Sequence, residues 1–164
     1  MPTIVYPGTF NPITNGHTDI VRRARKIFDR VILAIGTSPE KQPEIHLKER
    51  VELCREVVAD IPGVEVEGFN ELLVDYLRRK GTPFVLRGLR NIADFEYEFQ
   101  MVEMNQAMWP ELEYVFLAPS KETSFVSSTL VRQIAMFGGE VEKFVHPAVA
   151  RELRAQYGKR QEGE

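Results

Sequence analysis

Apolar residues occur along this chain as short continuous runs that alternate with longer segments at helical spacing. The short runs are typical of strands buried on both faces, and they predict strands over residues 3–6, 31–35, 64–66, 84–86 and 114–118. The longer segments predict helices over residues 19–28, 47–60, 71–79, 92–108 and 128–137, and a last helix that begins near Pro147. This alternation predicts an α/β fold, a Rossmann-like doubly wound five-stranded parallel sheet with helices on both faces.

The length of 164 residues indicates one domain, which we place at residues 1–157. The tail over residues 158–164 is charged and lacks apolar anchors, so we expect it to be frayed. The longest polar connection covers residues 36–45 and contains two prolines. It is either a mobile flap over a site or an ordinary surface loop, and the sequence favours neither.

The helix predicted over residues 92–108 has two apolar stripes. One stripe consists of Ile92, Phe95, Phe99 and Val102, and the other, nearly opposite, consists of Tyr97, Met101, Met104 and Met108. A helix that is apolar on two faces must be buried on two faces. The second stripe therefore meets either another subunit or the C-terminal helix, and the pattern leaves both possibilities open.

Composition excludes several classes of protein. Hydrophobic residues make up 43% and charged residues 27%, which is ordinary for a globular domain. The net charge of −3 argues against a protein that coats nucleic acid. No apolar run approaches membrane-spanning length and no signal sequence is evident, so we expect a cytoplasmic protein without a membrane partner. The single cysteine, Cys54, falls on an apolar helical stripe and is expected to pack in the core.

The turn between the first strand and the first helix carries candidate chemistry. Its sequence Y-P-G-T-F-N-P-I-T-N-G-H runs from Tyr6 to His17. A strand–loop–helix corner of this kind offers backbone N–H groups and a helix dipole to a phosphate. A histidine in such a corner suggests chemistry on the phosphate, and not merely binding. The glycine-rich dinucleotide fingerprint and the Walker lysine are both absent.

Two further groups of polar residues follow strand ends, where ligands bind in open α/β sheets. Arg87 and Arg90 flank Gly88 just after the fourth strand, and arginines there are costly unless they meet anions. The run T-S-F-V-S-S-T over residues 123–129 places hydroxyl groups where a helix begins. Helix capping accounts for one of these hydroxyls, and phosphate binding accounts for the whole run.

Four motifs, in this order and spacing, resemble those of the bacterial phosphopantetheine adenylyltransferases. They are Y-P-G-T-F at residues 6–10, T-N-G-H at residues 14–17, R-G-L-R-N-I-A-D-F-E-Y-E at residues 87–98, and S-F-V-S-S-T-L-V-R at residues 124–132. T-N-G-H alone fits only the T/H-x-G-H signature of the wider nucleotidyltransferase superfamily. The resemblance covers the chain from Ile4 to about Leu153.

The resemblance implies a reaction and its participants. The adenylyl group of ATP would pass to 4′-phosphopantetheine, giving dephospho-coenzyme A and pyrophosphate in a direct in-line transfer without a covalent enzyme intermediate. It also implies Mg²⁺ bound with ATP, feedback binding of coenzyme A and a homohexamer, which favours an interface at the second apolar stripe.

The resemblance also assigns roles to individual residues. Catalytic roles fall on His17, which would stabilise the transition state, and on Thr9, Lys41 and Arg90. ATP binding falls on Thr9, Phe10, His17, Gly88, Leu89, Arg90, Glu98, Thr123, Ser124, Phe125, Val126, Ser127, Ser128 and Thr129. Acceptor binding falls on Thr9, Lys41, Leu73 and Arg87.

Two positions depart from the pattern of the family. Asn11 stands where family members usually have aspartate, and Thr129 stands where many have serine, which keeps the hydroxyl. Because the sequence shows no cluster of carboxylates, we expect Mg²⁺ mainly on the triphosphate and no metal held directly by the protein. Two alternatives remain: a transferase with another acceptor, such as nicotinamide mononucleotide or glycerol 3-phosphate, and a noncatalytic sensor of nucleotide or coenzyme A.

Overall fold

The fold is a parallel sheet with helices on both faces. The computed structural model describes residues 2–37 and 46–161. The strands are β1 (Thr3–Gly8), β2 (Arg30–Gly36), β3 (Val64–Phe69), β4 (Phe84–Gly88) and β5 (Glu113–Leu117). The helices are α1 (Asn15–Ala24), α2 (Leu47–Val57), α3 (Leu73–Lys80), α4 (Ile92–Met108), α5 (Ser128–Met136) and α6 (Pro147–Gln161).

The strand order creates a crevice beside the first strand. The sheet has the order β3-β2-β1-β4-β5, and every pair of neighbours is parallel. The chain extends from β1 to one side through β2 and β3, then crosses to the other side of β1 for β4 and β5. The connections that leave β1 and β4 therefore diverge, and a ligand crevice opens at the carboxyl ends of these strands. The predicted doubly wound five-stranded fold is confirmed.

Alternate residues of the strands enter two separate cores. In β1, Ile4 and Tyr6 pack with residues of α1, α2, α5 and α6, whereas Val5 packs with residues of α3. All three side chains are almost completely buried. Burial on both faces explains why β1 is a continuous apolar run without polar alternation.

The bounds of several elements differ from the predicted ones. Helix α1 begins at Asn15 and ends at Ala24, whereas the pattern predicts residues 19–28. Its first turn is polar because it faces the crevice, so an apolar stripe does not reveal it. Helix α6 continues through Gln161 and includes the start of the tail that the sequence predicts to be frayed. Among the residues placed in the structure, no helix has the length and apolar character needed to cross a membrane.

The packing of α4 corrects the predicted role of its first stripe. The predicted core residues Ile92, Phe95 and Phe99 are 81%, 46% and 47% exposed, and only Val102 of that stripe is buried. The inward face instead consists of Glu98, Val102 and Asn105. The reason is that Glu98 and Asn105 bind polar partners on β4 and β5, namely Arg87 and Tyr114. These contacts rotate the apolar stripes to the two flanks of the helix.

The second stripe of α4 is exposed as well. Tyr97, Met101, Met104 and Met108 are between 40% and 66% exposed. The C-terminal helix α6 packs against α2 and α5, on the other side of the sheet. The C-terminal helix therefore does not cover the second stripe, and both apolar stripes of α4 remain largely exposed on this chain.

Candidate active site

Two cavities open side by side at the carboxyl ends of the strands. The first has a volume of about 330 Å³ and lies between the β1–α1 loop, the end of β4 and the start of α5. The second has a volume of about 250 Å³ and lies between the ends of β1, β2 and β3, the start of α3 and the inner side of α4. Both are lined by Pro7, Gly8, Thr9, Arg87 and Glu98, which form a shared wall.

The loop after β1 folds back tightly on itself. Phe10 has a φ of 48°, a left-handed conformation that is uncommon for a residue with a side chain. Its buried ring lies 4.9 Å from the ring of His17 in an edge-to-face arrangement. A Cβ atom at Gly8 would lie 2.9 Å from the Phe10 ring, so glycine is needed at this close approach. The strained backbone at Phe10 presents Thr9 to both cavities.

His17 has a defined ring orientation. Its Nδ1 accepts the backbone N–H of Thr14 at 2.9 Å, at the N-terminus of α1. In the neutral ring the proton therefore sits on Nε2, which makes Nε2–H a hydrogen-bond donor. His17 lines the first cavity. The capping role and the predicted phosphate-donor role are thus compatible, because they use different ring nitrogens.

The surroundings keep this imidazole neutral. Burial lowers the pKa of His17 from 6.5 to about 3, and the positive charges of Arg87 and Arg90 act in the same direction. A neutral Nε2–H donates without needing a proton from solvent at neutral pH.

We expect the ring signals of His17 in an NMR pH titration to stay constant between about pH 8 and about pH 5. The unfolded chain has the higher histidine pKa, so it binds more protons below pH 6.5. The free energy of unfolding should therefore fall as the pH drops from about 6.5 towards 3, and a His17→Gln variant should lose that part of the slope. A His17 titration midpoint near 6.5 would contradict this account of the site.

An ion pair stands in the wall between the cavities. Arg87 donates from Nε to Glu98 Oε2 at 2.9 Å and from Nη2 to Glu98 Oε1 at 2.6 Å, and from Nη1 to the carbonyl of Pro7. The side chain of Glu98 is 9% exposed and that of Arg87 is 29% exposed. Burial opposes the charge on Arg87, but the hydrogen bond and charge of Glu98 outweigh it and raise the pKa of Arg87. The bidentate pair holds α4 against the end of β4.

Arg90 joins the β4–α4 loop to the loop before α5. Its backbone N–H and Nε donate to Asp94 Oδ2 at 3.1 and 3.3 Å, and its Nη1 donates to the carbonyl of Val126 at 3.2 Å. The side chain is 40% exposed and lines the first cavity. It is a cation available to an anionic ligand in that cavity.

The hydroxyl groups at the start of α5 make different hydrogen bonds. Ser127 caps the helix by accepting the N–H of Leu130 at 3.1 Å, and Ser128 donates to the carbonyl of Pro12 at 2.8 Å. Both residues line the first cavity together with Thr123, Val126 and Thr129. The N-terminus of α5 therefore opens on this cavity, with the orphan backbone N–H groups and positive dipole end that bind anions.

Most of the predicted site residues line the two cavities. Thr9, Phe10, His17, Gly88, Arg90 and Glu98 line the first, whereas Thr9, Leu73 and Arg87 line the second. Leu89, Ser124 and Phe125 do not line either cavity, and Phe125 is 62% exposed. Their contact with ATP stays a prediction, and Lys41 lies outside the described residues.

Arg132 also lines the first cavity, although it is not among the site residues predicted from the sequence. Its Nη1 donates to the carbonyl of Asn11, and its Nη2 lies 3.4 Å from Thr129 Oγ1. A basic residue one turn into a helix that starts with a hydroxyl run was a signal for this role. Arg132 adds a third arginine to the lining of the first cavity, after Arg87 and Arg90.

The first cavity can bind and polarise an extended anion. It combines three arginines (Arg87, Arg90 and Arg132), a helix N-terminus and a neutral imidazole donor. Cys54 is buried in the core, and burial raises the pKa of its thiol to about 12, so it is not an activated nucleophile. Within residues 2–37 and 46–161, no group of three or more His, Cys, Asp or Glu residues is placed to hold a metal ion. The arrangement suits phosphoryl chemistry by positioning and electrostatics.

Comparison with known proteins agrees with this geometry. The cytidylyltransferase-like family matches residues 5–134. A phosphopantetheine adenylyltransferase of Hahella chejuensis is 49% identical over 160 residues, which cover 98% of this chain and 99% of that protein. The phosphopantetheine adenylyltransferase of Thiobacillus denitrificans is 54% identical over 153 residues, which cover 93% and 96%.

Solved structures share the fold at low sequence identity. The nicotinic acid mononucleotide adenylyltransferase of Plasmodium falciparum, in complex with NaAD, matches with a TM-score of 0.68 and 15% identity over 94% of this chain and 95% of that one. A bifunctional NMN adenylyltransferase/ADP ribose pyrophosphatase of Francisella tularensis matches with a TM-score of 0.65 and 18% identity, over 87% of this chain and 44% of that one. At these identities the likeness supports the fold alone.

Proposed function

This chain belongs to the phosphopantetheine adenylyltransferases of the cytidylyltransferase-like family, and we propose that it transfers the adenylyl group of ATP to 4′-phosphopantetheine. The products are dephospho-coenzyme A and pyrophosphate. The observation that carries the proposal is the pair of cavities with a shared wall at Thr9 and Arg87. Substrates bound in the two cavities would have their reacting phosphates close together at these shared residues, as direct transfer requires.

ATP is assigned to the first cavity. The N-terminus of α5, Arg90 and Arg132 suit the β- and γ-phosphates, because cations and orphan N–H groups stabilise the charge that gathers on departing pyrophosphate. The Nε2–H of His17 suits a nonbridging oxygen of the α-phosphate. Its hydrogen bond strengthens as negative charge develops there, so it stabilises the transition state more than the bound substrate.

The acceptor is assigned to the second cavity. Phe69, Leu73 and Met101 give this cavity apolar walls that suit a pantetheine arm. The acceptor phosphate would then lie near Thr9 and Arg87, at the shared wall. A phosphate oxygen attacks the α-phosphorus of ATP, the new P–O bond forms as the bond to the bridging oxygen of the β-phosphate breaks, and pyrophosphate leaves. No covalent bond to the protein is required.

Mg²⁺ is proposed to enter with ATP. The two described carboxylates that line the first cavity are already paired with arginines, Asp94 with Arg90 and Glu98 with Arg87. Asn11 lines the cavity, and its buried Oδ1 has no hydrogen-bond partner within the described structure. An amide oxygen is a hard ligand, so Asn11 fits as one contact to a metal held chiefly by phosphate oxygens. When bound, Mg²⁺ would neutralise charge on the triphosphate.

A homohexamer is the assembly we propose, with α4 at a subunit interface. The exposed apolar residues on both flanks of this helix support the proposal, because a cluster of exposed large apolar side chains is typical of a protein–protein interface. A cytoplasmic location agrees with the proposed use of ATP. Coenzyme A shares the pantetheine arm of the acceptor, so feedback binding would use the second cavity.

We expect the Met101→Glu variant to dissociate or misassemble, because it places a charge within an apolar interface. Light scattering measures the mass of the assembly. Ile27→Glu is the matched control, since Ile27 is 42% exposed against 40% for Met101 and lies away from α4. A Met101→Glu protein with the mass and stability of the wild-type assembly would remove α4 from the interface.

The proposed reaction is tested by mixing the protein with ATP, Mg²⁺ and 4′-phosphopantetheine and measuring pyrophosphate. We expect release that depends on both substrates. Binding of ATP without pyrophosphate release would instead identify a sensor that has kept the pocket.

A further inference from the structure

Arg50 is a buried cation outside both cavities. It lies in the first half of α2 and is 1% exposed, although arginine is seldom fully buried unless its charge is satisfied. It lines neither the first nor the second cavity. Its burial beside the site calls for a function that does not involve touching the substrates.

Two contacts of Arg50 join the ends of neighbouring strands. Its Nη1 donates to the carbonyl of Thr9 at 2.5 Å and to the carbonyl of Gly36 at 3.0 Å. The β1–β2 register ends at the pair Gly8 and Ile35, one residue before each of these carbonyls. The guanidinium therefore continues the strand pairing at the point where the sheet stops.

This bridge acts on the peptide next to the left-handed residue of the β1–α1 loop. The carbonyl of Thr9 belongs to the peptide that precedes Phe10, whose φ is 48°. A left-handed residue of this kind persists only where surrounding contacts hold it. A charge-assisted hydrogen bond to the adjoining carbonyl supplies such a contact. It fixes the direction of the backbone that presents Thr9 to the two cavities.

We propose that Arg50 is a positioning residue for adenylyl transfer, which holds Thr9 at the meeting point of the two substrates by crosslinking the ends of β1 and β2. The proposal rests on the proposed function of this site. Arg50 contributes through Thr9, so its effect should depend on the Thr9 hydroxyl. A misplacement of this group by about 1 Å is enough to slow transfer substantially.

The test is a double-mutant cycle between Arg50→Met and Thr9→Val. Methionine keeps an apolar stem but removes the donors, and valine keeps the shape of threonine but removes its hydroxyl. We expect Arg50→Met to lower kcat by about 10–100-fold in the wild-type background and by less than about threefold in the Thr9→Val background. Arg50→Lys keeps a donor and the charge, so it should recover part of kcat. If the methionine variant does not fold, Arg50→Lys replaces it in the cycle.

Val57→Ala is the matched control for stability. Val57 lies two turns further along α2, is 4% exposed and lines neither of the two cavities. The Val57→Ala variant should lower Tm without the loss of kcat that is expected for Arg50→Met. Equal kcat losses from Arg50→Met in the two Thr9 backgrounds, or the same loss in Val57→Ala, would overturn the proposal.

Amide hydrogen exchange gives a readout that does not depend on turnover. Residues 8–11 should exchange faster in the Arg50 variant than in wild type and in Val57→Ala, because the bridge to the Thr9 carbonyl is gone. Unchanged exchange there would refute the positioning role even if the wild-type protein had no transferase activity. Absence of pyrophosphate from wild type, by contrast, would refute the proposed function and leave the exchange result to decide on Arg50.

Discussion

The His17→Ala variant is expected to turn over about 10²–10³-fold more slowly than wild type, equivalent to about 3–4 kcal/mol of lost transition-state stabilisation. The reason is that His17 lines the cavity assigned to ATP, and because its Nδ1 is occupied by the backbone N–H of Thr14, Nε2–H is the ring donor left for a ligand. The affinity for ATP should change much less, since the hydrogen bond strengthens during transfer. Steady-state kinetics and calorimetric titration with ATP measure the two effects separately.

His17→Gln is the control for the helix-capping role of His17. Glutamine at the third position of a helix can accept the N–H of the capping residue, so this variant should keep the Tm that His17→Ala loses. It should not recover kcat, because its amide is then committed to Thr14. A folded His17→Ala protein with wild-type turnover would exclude the imidazole from the mechanism.

Replacing Arg87 with alanine should affect both stability and acceptor use. The substitution leaves the carboxylate of Glu98 buried without its bidentate partner. Loss of one partner from a buried pair costs about 3–5 kcal/mol, and the partial exposure of Arg87 places this site at the low end. Because the residue lies in the shared wall, the KM for 4′-phosphopantetheine should rise more than the KM for ATP. Denaturant unfolding and calorimetric titration of each substrate measure these effects.

Arg90→Ala provides the comparison from the loop that follows β4. Its pair with Asp94 is part-exposed, so the free energy of unfolding should change by only about 0–1 kcal/mol. The loss should appear in ATP binding or in pyrophosphate departure. Equal losses for both substrates in both variants would mean that the arginines act as one anion clamp and that the division between the substrates is wrong. Restored stability in an Arg87→Met, Glu98→Gln double variant would confirm the burial argument separately.

The strand-end motifs could be predicted because they depend on local order. A buried run followed by glycine, arginine or hydroxyl residues places those groups at the carboxyl edge of a parallel sheet, whatever the details of packing. Thr9, His17, Arg90 and Ser127 lie around the first cavity for this reason. The resemblance then added the identity of the substrates, which geometry alone does not give.

The orientation of α4 and the role of Arg50 could not be predicted, because both depend on contacts between distant segments. Glu98 has the pattern of a solvated acid until β4 brings Arg87 against it. Arg50 is likewise an ordinary polar residue of a helix until the ends of β1 and β2 surround it. Hydrophobic periodicity indicates which face of a helix is apolar. It does not show when a buried polar partner determines which face turns inward.

The most direct test of the central claim is a competition between acceptors, analysed by mass spectrometry. The protein receives ATP, Mg²⁺ and an equimolar mixture of 4′-phosphopantetheine, nicotinamide mononucleotide, nicotinic acid mononucleotide and glycerol 3-phosphate. We predict dephospho-coenzyme A as the dominant adenylylated product, formed in a one-to-one ratio with pyrophosphate. A dominant product from any other acceptor, or no adenylylated product, would contradict the account.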